Sequence, residues 1–258
     1  LAQFLARLKD RKLLSADTDG LARARIAPRV VAVLLGRERT EAAQFHLVPL
    51  LQGFLDAVEE NADNPVGVLN RSVASLRELV DELPPRILIV TAPDPMWRGG
   101  LSGPNSLFFH ADRPMVSENG TSSLLHELFH TLTGITDKGN DDWAVEGLAE
   151  YYAIEILYRS GGLSENRRQR VFDWLADWSK DITKLRGRSS TGQQTARAVI
   201  LLEELAQEIS EKTDGEKSLD DLTRALIKEK HIALALINEI VEGLIGSPAD
   251  TLDSPLLK

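Results

Sequence analysis

The sequence contains no cysteine. Disulfides and thiolate metal sites are therefore excluded, and any bound metal must be held by imidazole and carboxylate. Compartment is left open by this absence. Apolar runs long enough to cross a bilayer are also missing, since none reaches roughly 18 residues. Positive charge is scarce: 30 Lys and Arg face 39 Asp and Glu, a formal net charge of −9. Phosphate is repelled at that balance, so nucleic acid is not an expected partner. Two basic clusters, Arg167-Arg168-Gln169-Arg170 and Lys184 to Arg188, read as a solvated helix face and a loop. No internal repeat or low-complexity segment interrupts the chain.

What is present suits a globular protein. Its 258 residues are 43% hydrophobic and 27% charged, enough for one large domain or two closely joined lobes. The first part reads as mixed. Helical spacing marks residues 1–14, with Phe4, Leu5, Leu8 and Leu13 on one side, and residues 41–60. The short β-branched stretch Arg29 to Leu35 predicts a strand, and Asn64-Pro65 opens a helix that Pro84-Pro85 stops at about Leu83. Ile87 to Thr91 and Ser106 to His110 read as strands. Between them, the Pro- and Gly-rich segment 92–105 reads as loop or irregular edge.

From Thr121 onward the pattern is helical, over about 121–134, 142–160, 164–184, 194–213, 218–229 and 231–245. Ser218 is a good N-cap, and Gly246 with Pro248 is a clear stop. The expected fold class is α+β: a sheet-containing mixed lobe over residues 1–118, then a helical lobe over 119–258.

The chemically informative stretch is His126-Glu127-Leu128-Phe129-His130, flanked by Leu124, Leu125 and Leu132. Histidines four apart on a helix share a face, so both imidazoles can reach one ion. Glu127, next to the first ligand, stands beside that ion as a general base for a bound water. Sixteen residues beyond His130 comes Glu146, in Trp143-Ala144-Val145-Glu146-Gly147-Leu148-Ala149-Glu150-Tyr151-Tyr152. A His126, His130 and Glu146 set would leave a fourth position open, as a catalytic Zn2+ requires. Glu150, one turn on, is placed to accept the second ring proton of His126. The other histidines and the aromatics have plainer readings: His46 a packed or surface residue, His110 a strand end, Tyr151 and Tyr152 core. Trp143, Trp174 and Trp178 read as packing residues, and Trp97, beside Gly99-Gly100, as a packing residue or a cleft border.

The pairing of HELFH with VEGLAEYY resembles the gluzincin metallopeptidases, the thermolysin-like group, with the nearest likeness to the glycyl aminopeptidase family. Gly99-Gly100-Leu101-Ser102, about 25 residues before His126, stands where those relatives carry Gly-Gly-Leu-Glu. The resemblance implies a thermolysin-like fold and zinc-dependent hydrolysis of peptide bonds. It also implies a substrate site along Gly99, Gly100, Leu101 and Ser102, where an extended peptide adds to a sheet edge. Two departures stand out. Ser102 replaces the acid that in relatives helps hold a free amine. The oxyanion-stabilising Tyr of relatives has no counterpart in Thr191 to Arg197, which leaves Gln193, Gln194, Arg197 and His231 as substitutes. These departures motivate a rival expectation, a peptide-binding module that keeps the zinc site without efficient turnover. Hydrolysis of some non-peptide bond is a third. Relatives are often exported and the chain starts at Leu1, so a trimmed leader and a periplasmic or secreted location are expected slightly ahead of the cytoplasm.

Overall fold

A computed structural model describes residues 30–33, 65–80, 83–84, 87–92, 94–95, 98–110 and 116–258. The helices expected over 1–14 and 41–60, with His46 and Trp97, lie outside these described residues. The fold is α+β. In chain order its elements are β1 (Val30–Val33), α1 (Pro65–Leu79), β2 (Ile87–Ala92), β3 (Gly100–Gly103), β4 (Ser106–His110) and α2 (Ser123–Thr133). There follow β5 (Thr136–Asp137), α3 (Asp142–Arg159), α4 (Glu165–Trp178), α5 (Gln193–Lys212), α6 (Leu219–Glu229), β6 (His231–Ile232) and α7 (Leu234–Ile245). Short 3-10 turns at Thr251–Asp253 and Pro255–Leu257 follow α7.

Four strands form one sheet in the order β1-β2-β4-β3. β2 runs antiparallel to β1 and parallel to β4, and the β3–β4 hairpin closes on Pro104-Asn105 with Asn105 at φ 52°. A left-handed residue at a two-residue turn matches the strand twist, and Asn tolerates it. The sequence-based loop over 92–105 is thus corrected at its end. Glycine and proline have low strand propensity, yet pairing of Gly100 to Gly103 with Ser106 to Phe109 overrides it.

α3 is the central helix. Trp143, Ala144, Leu148, Ala149, Tyr152, Ile154 and Ile156 are essentially inaccessible to solvent, and the helix is buried on most of its circumference. It packs on α1, α2, α4 and α5. One continuous apolar core joins Leu76 and Leu79 of α1, the strand residues Ile87, Ile89 and Leu107, and the helices through to Leu257. At the α3–α5 crossing the backbones approach closely. A Cβ on Gly147 would stand 2.9 Å from Ala198 Cβ and 3.0 Å from Leu202 Cδ1.

Several boundaries differ from the sequence expectation. α1 ends at Leu79 rather than about Leu83. α4 ends at Trp178, not 184, because the Ser179 hydroxyl and amide both donate to Leu175 O and close the last turn. The helix expected from 231 begins at Leu234, since His231-Ile232 pairs in parallel with Thr136-Asp137. Arg168 is not on a solvated face: it bonds Glu155 and Glu203 and covers the Phe172 ring at 4.5 Å. Trp174 and Trp178 are not core residues. They are 40% and 39% exposed and stack on each other, because α4 turns Val171, Phe172 and Leu175 inward instead.

Candidate metal centre

α2 carries the two histidines, and its ends are fixed from outside. The Ser122 hydroxyl accepts the Leu125 N–H at the N-terminus. At the C-terminus Gly134, with φ 61°, donates to His130 O, and the Lys230 ammonium donates to Thr133 O at 2.7 Å. The Thr131 hydroxyl bonds Glu127 O and reaches Ser106 O of β4 at 3.3 Å. Leu124, Leu125, Leu128 and Phe129 are buried, which orients the remaining face of the helix toward α3 and β3.

On that face His126 Nε2 and His130 Nε2 lie 3.1 Å apart. Glu146, reaching over from α3, sets Oε2 3.2 Å from His126 Nε2 and Oε1 3.5 Å from His130 Nε2. One donor atom from each of the three residues falls within 4.8 Å of the others. A tetrahedral ion with bonds of about 2.0–2.1 Å would hold its donors roughly 3.3 Å apart. The donor set is two borderline nitrogens and a carboxylate oxygen, which suits zinc. Residues, spacing and chemistry therefore fit the ion. Glu150 completes the arrangement by accepting the His126 Nδ1–H at 2.9 Å, which leaves Nε2 facing the other donors.

Electrostatics agree with this geometry. Burial alone would lower the His126 pKa, but hydrogen bonds to Glu146 and Glu150 outweigh it and raise the ring to about 10. Burial likewise opposes ionisation of Glu146, yet the two imidazoles hold its carboxyl far below the usual range. Two imidazoles and two carboxylates thus concentrate a demand for positive charge at one point. Glu127 behaves differently. Desolvation raises its carboxyl, and the imidazoles of His126 and His130 offset only part of that rise. Its side chain is nearly buried at 8% exposure, against β3.

A cleft of about 830 Å³ opens on the centre. Gly100, Leu101 and Ser102 form one wall, and Ser189, Ser190, Thr191 and Lys230 another. Gly99 is half-buried just outside it. His126, Glu127, His130 and Glu146 all line the cleft, whereas Gln193, Gln194, Arg197 and His231 do not. Gln193 bonds Trp178 O, Gln194 bonds Lys184 O, and His231 bonds the Thr136 hydroxyl. All three tyrosines of the chain are on α3, with Tyr151 and Tyr152 buried in the core, so no phenol faces the centre. His110 is buried at the end of β4 beside Asp94.

Sequence reasoning did not find Asp142. It lies one turn before Glu146, lines the cleft and accepts the Ser190 N–H at 2.7 Å, pinning the opposite wall to α3. The i−4 spacing from Glu146 was the available signal. No protein-family model matches the chain, and a search of curated proteins finds no match.

Proposed function

We propose that this chain is a zinc-dependent peptide hydrolase of the gluzincin type, with a thermolysin-like catalytic fold. The observation that carries the reading is the convergence of His126, His130 and Glu146 on an open cleft, with a second carboxylate, Glu127, beside them. A purely structural metal site needs no such carboxylate.

His126, His130 and Glu146 would hold the ion, and Glu150 fixes the His126 tautomer. When bound, zinc supplies Lewis acidity, polarising the scissile carbonyl and making water acidic near neutral pH. Glu127 does the proton work: its carboxylate takes a proton from the attacking water and delivers it to the departing amine nitrogen. Burial suits it to that task, because a raised carboxyl pKa makes it a stronger base than an exposed glutamate. β3 is the outermost strand of the sheet among the described residues, and it borders the cleft. An extended peptide adding to that edge would place backbone carbonyls over the centre.

A specific observation favours a second reading. No tyrosine reaches the cleft, and losing one oxyanion donor typically costs about 10²–10³ in rate. A module that binds peptide through the same edge and turns it over slowly would look alike. Zinc-loaded protein offered a peptide library separates the two. Cleavage abolished by a chelator, and by Glu127→Gln with metal content unchanged, is expected. Peptide binding without cleavage would favour the module. Turnover surviving in Glu127→Gln, or no uptake of metal, would overturn the assignment.

A further inference from the structure

Glu127 meets β3 at two points. The Ser102 side chain stands beside its carboxyl as a hydrogen-bonding partner that lowers the carboxyl pKa against the larger effect of burial. Two residues earlier, Gly100 has no side chain, and the space is filled by Glu127 itself: a Cβ there would lie 2.9 Å from Glu127 Cδ and 3.0 Å from Cγ. Residues two apart in a strand project to one face, so Gly100 and Ser102 form a single cradle. The cradle is rigid. Ser102 stands opposite Leu107 and Gly100 opposite Phe109 in the β3–β4 ladder, and Leu107 is fully buried. β4 is tied to α2 through Ser106 O and the Thr131 hydroxyl, in the helix that carries Glu127.

We infer that Ser102 and Gly100 are positioning residues for the Glu127 carboxylate, rather than contacts for the substrate as the resemblance implies. A glutamate has three side-chain torsions, and a base must be held close to its target geometry for proton transfer to be efficient. The hydroxyl favours the charged carboxylate, and the bare α-carbon of Gly100 admits the side chain against the strand. This inference rests on Glu127 acting as the base, but its structural content does not.

The test uses the full chain as wild type, Ser102→Ala, Ser102→Thr and Gly100→Ala, each checked for zinc content. The first readout is independent of turnover. In protein labelled with 13C at glutamate carboxyls, the Glu127 resonance is assigned by its loss in Glu127→Gln. That resonance should move in Ser102→Ala and Gly100→Ala and remain near its wild-type position in Ser102→Thr. The second readout is hydrolysis. Ser102→Ala should lower kcat about 10- to 100-fold, the effect of one hydrogen bond to a charged group, with KM nearly unchanged. Gly100→Ala should lower kcat about 100-fold, because the flexible Glu127 side chain yields to the new methyl while the fold does not. Ser102→Thr should restore most of the rate. A Glu127 resonance indifferent to both alanine variants overturns the cradle, whatever the turnover. A shifted resonance with unchanged kcat overturns the positioning role. Alanine variants that shift the resonance as expected, in a protein whose wild type never cleaves, leave the cradle standing and remove the catalytic reading instead.

Discussion

Glu150 offers the sharpest quantitative check on the proposed metal centre, because it touches the proposed ligand His126 and would not touch the ion. Its Oε2 accepts from His126 Nδ1 at 2.9 Å, and the two side chains are only 21% and 16% exposed, so solvent screens the contact weakly. That bond sets which ring nitrogen is free and adds electron density to it. Loss of such a partner typically weakens metal binding 10- to 100-fold, or about 1.4–2.7 kcal/mol. The two effects can be divided by substitution. Glu150→Gln keeps a carbonyl acceptor in place and removes the charge, so zinc affinity should fall about tenfold. Glu150→Ala removes both acceptor and charge and should fall nearer to 100-fold. Affinity is read by competition with a chromophoric chelator at fixed pH and ionic strength, after circular dichroism shows the helices intact. If Glu150→Ala binds zinc as wild type does, or Glu150→Gln binds worse than Glu150→Ala, the assigned role of Glu150 is wrong.

Two further outcomes concern the frame that holds the site. Gly147→Ala should destabilise the protein by about 1–3 kcal/mol in urea denaturation, since overpacking against Ala198 and Leu202 outweighs the helix-propensity gain of about 1 kcal/mol; a stabilised variant would contradict the tight α3–α5 crossing. Glu208 accepts the Asp250 and Thr251 N–H groups and pairs with Lys212; although burial opposes ionisation, these contacts lower its carboxyl from 4.5 to about 2. Its contribution is therefore full above about pH 4.5 and is lost as pH falls toward 2, so Glu208→Gln should cost about 1–3 kcal/mol at neutral pH and little at pH 2. Parallel stability curves for the two proteins across that range would refute the assignment.

The parts of the structure that were legible in the sequence are those set by local spacing. The His126–His130 pair and the Glu146–Glu150 pair each follow the one-turn rule within an apolar-periodic helix, so each pair's common face can be read without a fold. That the two faces meet follows from the burial of both helices, and the distances of 2.9–3.5 Å are what the structure adds. What was not legible depends on partners far along the chain. β3 exists because β4 pairs with it, against the propensity of its own glycines. β6 exists because Thr136-Asp137 lies alongside, and it takes His231 out of the following helix. The contact of Ser102 with Glu127 follows from the same pairing: only once residues 100–103 are a strand do positions 100 and 102 share a face.

The burial of α3 constrains how this site can work. Asp142, Glu146 and Glu150 recur every four residues on a helix whose other positions are almost all inaccessible, an expensive place for a line of carboxylates. Each has found a specific counterpart: the Ser190 N–H for Asp142, both imidazoles for Glu146, and the His126 Nδ1–H for Glu150. Glu127 has Ser102 as its hydrogen-bonding neighbour and no bonded cation among the described residues, and burial raises its carboxyl where the imidazoles lower that of Glu146. The site therefore separates its four acids by environment. Two, Glu146 and Glu150, are tied to imidazole, and Asp142 holds the opposite wall. Burial raises the carboxyls of both Asp142 and Glu127 on the cleft, but Asp142 is committed to the Ser190 N–H of the wall, whereas Glu127 stands beside the histidine pair, where a group exchanging protons with a substrate is required.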